Sequence, residues 1–258
     1  MTSHTSVRPA GRELHAAGIL IALAVCGLVP TAIRAADREQ GDGMMGSEQP
    51  RIPEPMVFDL VRPLGSTRGE LEINALATQQ ADGTVAWAPE IEYTIADGLA
   101  VELELPAENS SVQATKAAVQ GTFRHGRTEQ FIHGWQAIGK KQREDGSRSA
   151  DGLNIAGYRW NNRWSTLGMT GVRLNALGRG TTRSILTNAG LFFSPGDRAT
   201  LGLEFNGEWG GAARSRSWIP QVHVRISDHW SVQSGVALTR RKDAAQTWAL
   251  TGRLIYAF

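Results

Sequence analysis

Cysteine occurs once in the 258 residues, at Cys26. A single thiol excludes a disulfide framework within the chain and any cysteine-built metal centre. Long apolar runs are almost as scarce. Ala16 to Val29 is nearly unbroken, but it is shorter than the roughly 20 residues a helix needs to cross a bilayer. No later stretch of the chain offers a helical membrane span. A charge surplus is missing too, because 27 Lys and Arg stand against 25 Asp and Glu. The chain therefore carries no general electrostatic signal for a nucleic acid or another polyanion.

The beginning of the chain reads as an export signal. Met1 to His15 is polar and holds Arg8 and Arg12, the apolar run follows, Pro30 ends it, and the small-residue stretch Ala32-Ile33-Arg34-Ala35 comes next. That is the order of a signal peptide, and cleavage is expected after Ala35. Removing residues 1–35 takes Cys26 away and leaves 24 basic and 24 acidic residues, so the mature chain is neutral. Residues 36–68 hold Met44, Met45, Pro50, Pro53 and Pro55 with no sustained apolar period. This composition predicts a flexible periplasmic arm, in which Met56-Val57-Phe58 is the part able to dock elsewhere.

From Gly69 onward the apolar residues recur with a period of two, as in strands whose two faces meet different solvents. Val85, Trp87, Pro89, Ile91, Tyr93 and Ile95 alternate with Glu90, Glu92 and Thr94. After a turn at Ala96-Asp97-Gly98, Leu99, Val101, Leu103 and Leu105 alternate with Glu102 and Glu104. The same reading predicts twelve strands near 69–78, 84–95, 99–105, 112–124, 129–139, 152–160, 164–175, 184–193, 198–209, 218–226, 230–239 and 246–258. Alternate connections are tight, and the others are longer, up to a segment from Lys140 to Asp151. Pro89 and Pro220 fall inside strands, where each removes a ladder donor and predicts a local irregularity.

Trp160, Trp164, Phe193, Trp230, Tyr256 and Phe258 lie at the short-turn ends of these strands, and Trp87, Trp209, Trp218 and Trp248 lie nearer the other ends. Aromatic rings favour the headgroup level of a bilayer, so two such rows predict two interfacial girdles. The fold expected is all-β: an antiparallel transmembrane β-barrel of 12 strands in the bacterial outer membrane, with both termini periplasmic. Ten strands, or a soluble periplasmic β-protein, are the alternatives.

In such a barrel the polar strand faces line the lumen, because charge facing lipid near the midplane costs several kcal/mol. Glu70, Glu72, Glu90, Glu92, Glu102, Glu104, Glu204, His223, Arg225 and Arg253 are the expected lumen residues. They form either an acidic pore wall or an interior ion-pair network. His125, His133, His223 and His229 have no serine or acid at a spacing that marks a catalytic group. No metal and no cofactor is expected. A barrel enzyme acting on lipid or peptide, or a purely structural barrel, is the alternative function.

The stretch Gly69 to Asn74 followed by Pro89 to Pro106 resembles the opening of a loosely defined family of outer-membrane transporter barrels, often labelled phenol meta-pathway-like. The resemblance implies a passive channel or transporter for small solutes, without energy coupling. The alternating last strand ending in Tyr256-Ala257-Phe258 resembles the C-terminal signal read by outer-membrane assembly machinery, which makes Phe258 an expected contact with that machinery. On the longer-loop side stand eleven basic residues: Lys140, Lys141, Arg143, Arg148, Arg179, Arg183, Arg214, Arg216, Arg240, Arg241 and Lys242. Against them stand six acidic ones: Asp82, Glu108, Glu144, Asp145, Asp151 and Asp243. Arg forks suit phosphate oxygens, so Arg214, Arg216, Arg240 and Arg241 are expected to contact lipopolysaccharide.

Overall fold

The structure, a computed structural model, describes residues 52–58, 60–126, 128–178, 180–210 and 214–258. The expected signal peptide, the Arg51 and earlier part of the arm, and Arg179 lie outside the described residues. Among the described residues there is no helix. The strands are β1 (Leu71–Gln80), β2 (Val85–Ala96), β3 (Leu99–Glu104), β4 (Ala107–Glu108), β5 (Ser111–Val112), β6 (Ala114–Thr122), β7 (Phe131–Gln142), β8 (Arg148–Arg159), β9 (Trp164–Asn175), β10 (Thr182–Phe193), β11 (Ala199–Trp209), β12 (Ser215–Arg225), β13 (Trp230–Arg241) and β14 (Thr247–Ala257). β4 and β5 make a two-residue hairpin at the edge of β2. The other twelve form the wall. β1 pairs with both β2 and β14, so the sheet closes on itself and every wall pair is antiparallel.

Closure leaves no sheet edge, the condition for placing strands in hydrocarbon. The outer face is apolar. Ile73, Ile91, Leu103, Ile185, Leu191, Leu203 and Leu254 are all exposed on it, and as a solvent for them lipid accounts for what water does not. Two rows of aromatics bound this band. At the rim carrying both strand ends, Trp164 packs on Phe193 and Trp230 on Tyr256, each with ring centroids 4.8 and 4.7 Å apart respectively, and Phe258 meets Tyr256 edge-on. At the other rim stand Trp87, Trp218 and Trp248, all exposed, and Trp209. Phe258 itself is exposed and donates its N–H to Leu71 O at 3.0 Å.

The twelve wall strands lie where the alternation placed them, with two corrections. First, the long loops expected opposite the termini are short. The segment from Lys140 to Asp151 is mostly strand, since β7 runs to Gln142 and β8 starts at Arg148. β10, β12 and β13 likewise extend into segments read as loop. Second, no bulge sits at Pro89, which pairs with Ala75 in an unbroken register. The missing donor falls where the β2–β3 ladder ends, and Leu105 N still donates to Pro89 O at 3.0 Å. The register shift on β2 is instead between Thr94 and Ala96. At Pro220 the expected irregularity is present: β12–β13 partners are lost at Ile219 and Pro220 and resume at Gln221.

Glycine on the outer face serves the aromatics. Gly121 is the cross-strand partner of Trp135, and a β-carbon built there would run into the indole ring. Changing Gly121 to Val is expected to push Trp135 off its site and cost about 1–3 kcal/mol by overpacking. Urea unfolding of the refolded barrel, read by Trp fluorescence, measures this.

Candidate functional site

A barrel interior widens with strand number, and about 8 strands already give one that side chains just fill. Twelve strands therefore leave room for more, and the chain fills it with its own N-terminal segment. Residues 52–58 and 60–66, read from sequence as part of a flexible arm, lie inside the wall. Met56, Leu60 and Val61 are fully buried. The segment starts near Ile132 and Leu167, where Ile52 occupies the space beside Gly157. It reaches Glu204 on β11 with Met56 to Phe58, then returns past Gln120 to the rim where β1 starts and β14 ends. There Gly65 N donates to Thr122 Oγ1 at 2.9 Å and Gly98 N donates to Ser66 O at 2.8 Å.

Three features of this segment fit it to the lumen. Pro53, Pro55 and Pro63 carry no N–H, so fewer donors need partners inside. Its apolar side chains enter notches made by inward-facing glycines. A β-carbon at Gly134 would lie 2.7 Å from Leu64 Cδ2, and one at Gly235 would lie 2.7 Å from Met56 Cε. Leu60 completes a small core with Ile155, Leu167, Met169 and Phe192, and Val61 one with Ala100 and Ala118.

Its backbone is held by lumen side chains. The carboxylate of Glu204, fully buried, accepts from Met56 N at 2.8 Å, Val57 N at 3.3 Å and Phe58 N at 2.8 Å. Asn206 Nδ2 at 2.8 Å, Asn188 Nδ2 at 3.3 Å and Gln221 Nε2 at 3.3 Å donate to it as well. All six donors are neutral, so a buried negative charge is stabilised by converging dipoles. Gln120 bonds the segment twice, accepting from Val61 N and donating to Arg62 O.

Buried glutamates cluster on the inner face of β1–β3, in a demanding geometry. Glu72 faces Glu92 across β1–β2, and Glu92 faces Glu102 and Glu90 faces Glu104 across β2–β3. Like charges directly opposite repel, so buried cations must sit among them. Arg62 from the inserted segment reaches Glu72, Glu70 at 3.1 Å and Glu92 at 3.7 Å. Lys116 reaches Glu104 and Glu102, the latter at 3.0 Å, and Arg253 lies 4.0 Å from Glu90. Nearer the far rim, Arg173 binds Asp151 at 2.7 Å and Glu208 at 3.1 Å. Glu90, Glu92 and Glu102 bring carboxylate oxygens within 4.8 Å of one another, but a metal ion there would compete with Arg62, Lys116 and Arg253.

Of the expected lumen residues, Glu72, Glu90, Glu92, Glu102, Glu104, Glu204 and Arg253 are buried on the inner face. His223 shares that face, against Gln221 Oε1 at 3.2 Å. Two lie at its margin, since Glu70 precedes β1 with a partly exposed side chain and Arg225 is exposed at the end of β12. Reasoning from sequence missed Arg62, Gln120, Arg173 and Asp151. The other histidines among the described residues face outward or sit in turns. His133 lies between Phe123 and Phe131 and bonds His125 O, and His229 bonds Ala257 O at 2.8 Å.

No protein-family model matches the sequence, and no curated protein sequence matches it significantly. Solved structures do match. The KdgM porin, solved in complex with disordered oligogalacturonate, superposes with a TM-score of 0.57 at 12% identity over 72% of this chain and 99% of its own. The fold is that of outer-membrane channel barrels. The NanC porin gives a TM-score of 0.56 at 7% identity over 72% of this chain and 98% of its own. The COG4313 outer membrane channel from Pseudomonas putida F1 gives 0.50 at 12% identity over 80% and 100%. At these identities the likeness is one of fold.

Proposed function

We propose that the protein is an outer-membrane channel for small polar solutes, held shut by its own residues 52–66. The observation that carries this reading is the inserted segment itself. Besides the small apolar cores around Leu60 and Val61, it is bound by polar attachments: a buried carboxylate, a buried amide and ion pairs around Arg62. Such attachments can be exchanged for water and solute, whereas a core packed only by apolar groups opens at the full hydrophobic cost. The wall strands bond to each other independently of the segment, so the barrel can persist when the segment moves.

Passage is by diffusion, without cofactor or energy coupling. The first three strands support the transporter reading by their resemblance to the phenol meta-pathway-like barrels, and the porin fold supports a channel. In this reading both termini belong in the periplasm, the signal peptide delivers the chain, and Phe258 meets the assembly machinery. The test is planar-bilayer conductance of the refolded mature chain and of a chain lacking residues 52–66. The parent is expected to conduct weakly and the shortened barrel several-fold more. A shortened barrel that folds, inserts and conducts no better than the parent overturns the proposal.

A further inference from the structure

The outer face of the wall sorts charge in a way the channel reading does not require. Cross-strand partners share a face, so the inward position of Glu204 assigns every strand residue to one side or the other. On this assignment, no strand carboxylate faces outward. The outward-facing residues of full charge are Lys141 on β7, Arg148 on β8, Arg183 on β10, Arg216 on β12 and Arg240 on β13. All five are basic, all are exposed, and all lie at the rim opposite the start of β1 and the end of β14. The carboxylates at the same level, Asp151 and Glu208, turn inward to Arg173.

The placement is also unfavourable by itself. Lys141 is the direct partner of Arg148, and Arg216 of Arg240. Like charges facing each other across strands destabilise a sheet unless an anion lies between them. Just below Arg216 on the same face is Trp218, whose partner Leu238 leads across to Trp248 in the aromatic row. Arg214, also exposed, stands 5.5 Å over the ring of Trp209. Indole rings mark the headgroup level, so side chains one step further out meet the phosphate layer.

We infer that this belt, Lys141, Arg148, Arg183, Arg214, Arg216 and Arg240, binds the phosphate groups of a lipid A-type glycolipid in the outer leaflet. A phosphate monoester carries up to two negative charges and three acceptor oxygens, which suits a pair of facing basic side chains. A zwitterionic phospholipid offers no net charge to such a pair. Arg241, expected from sequence to join this contact, belongs on the inner face as the partner of Ser215.

The experiment refolds the mature chain into phospholipid vesicles with and without rough lipopolysaccharide and follows the loss of heat-modifiable gel migration with temperature. The glycolipid is expected to raise the parent's midpoint by about 4 °C. A variant with Lys141, Arg148, Arg183, Arg216 and Arg240 changed to Gln should lose most of that rise. R159Q and R163Q at the other rim should keep it, and dephosphorylated glycolipid should not stabilise the parent. Should the fivefold variant not fold, K141Q/R148Q and R216Q/R240Q are each expected to lose part of the rise. Equal stabilisation of variant and parent overturns the inference. So does an equal rise from phosphatidylglycerol, which would assign the belt to phospholipid. Conductance plays no part in this readout, so it stands or falls apart from the channel proposal.

Discussion

Changing Glu204 to Gln is expected to loosen residues 56–58 from the lumen while leaving the barrel closed. Glu204 has two acceptor oxygens and no donor, and both oxygens are engaged by backbone N–H groups. Oε2 takes Met56 and Val57, and Oε1 takes Phe58. Glutamine retains one oxygen and places an NH2 against N–H groups where the other was. The amides of Asn188, Asn206 and Gln221 can rotate to present oxygens, but the backbone donors cannot. Hydrogen bonds to a charged group are worth about 1.5–3 kcal/mol each, so a loss of about 2 kcal/mol in docking is expected, or about 30-fold in the docked population. Amide hydrogen exchange of Met56, Val57 and Phe58 should accelerate by that factor, with the strand amides of β11 unchanged. Unchanged exchange at these three amides would remove Glu204 from the role of clasp.

The barrel was legible in the sequence because a strand between lipid and a polar interior must alternate. That two-solvent signal ran through β2, β3 and β14 without interruption, and through β13 with one break at Ser234. It failed at strand ends above the membrane level, where both faces are wet. Lys140, Lys141 and Gln142 in β7 and Arg148 and Ser149 in β8 are strand, yet they read as loop because polar residues fall on both sides. The same reason made β10, β12 and β13 look shorter than they are.

The inserted segment was not legible, for a different reason. Its residues repeat with no period, since they belong to neither a helix nor a sheet. Three prolines and a glycine give it the composition of a linker. What makes it a plug is the set of partners it finds far along the chain, such as Glu204, 148 residues from Met56. Glu204 was recognised as a lumen residue from alternation, but nothing local told what it would bind. Only Met56-Val57-Phe58, too apolar for a solvated linker, hinted at docking. The carboxylates of β1–β3 posed the matching question: five of them on three adjacent strands, with Glu70 just before β1, need cations, and one of those cations is the arginine the linker reading had set aside.

That arginine makes the second large effect. Arg62, Lys116 and Arg253 are the cations paired with Glu70, Glu72, Glu90, Glu92, Glu102 and Glu104. Arg62 serves three of these carboxylates and is the one cation of the three that belongs to the inserted segment. In Arg62→Met, Glu72 and Glu92 remain buried and opposite one another without it. Removing one partner of a buried ion pair costs about 3–5 kcal/mol, more than the docking of a short segment is expected to supply. The segment should therefore leave, water and salt should enter, and the wall should act as a line of fixed negative charge. The expected result is a raised conductance and, under a salt gradient, a reversal potential displaced toward that of a cation. The triple variant Arg62→Met, Glu72→Gln, Glu92→Gln removes the repulsion along with the cation, and should return most channels to the low-conductance state. If Arg62→Met folds and stays as closed as the parent, the ion pairs do not hold the segment. If the triple variant conducts like Arg62→Met, the guanidinium holds it by contacts other than charge.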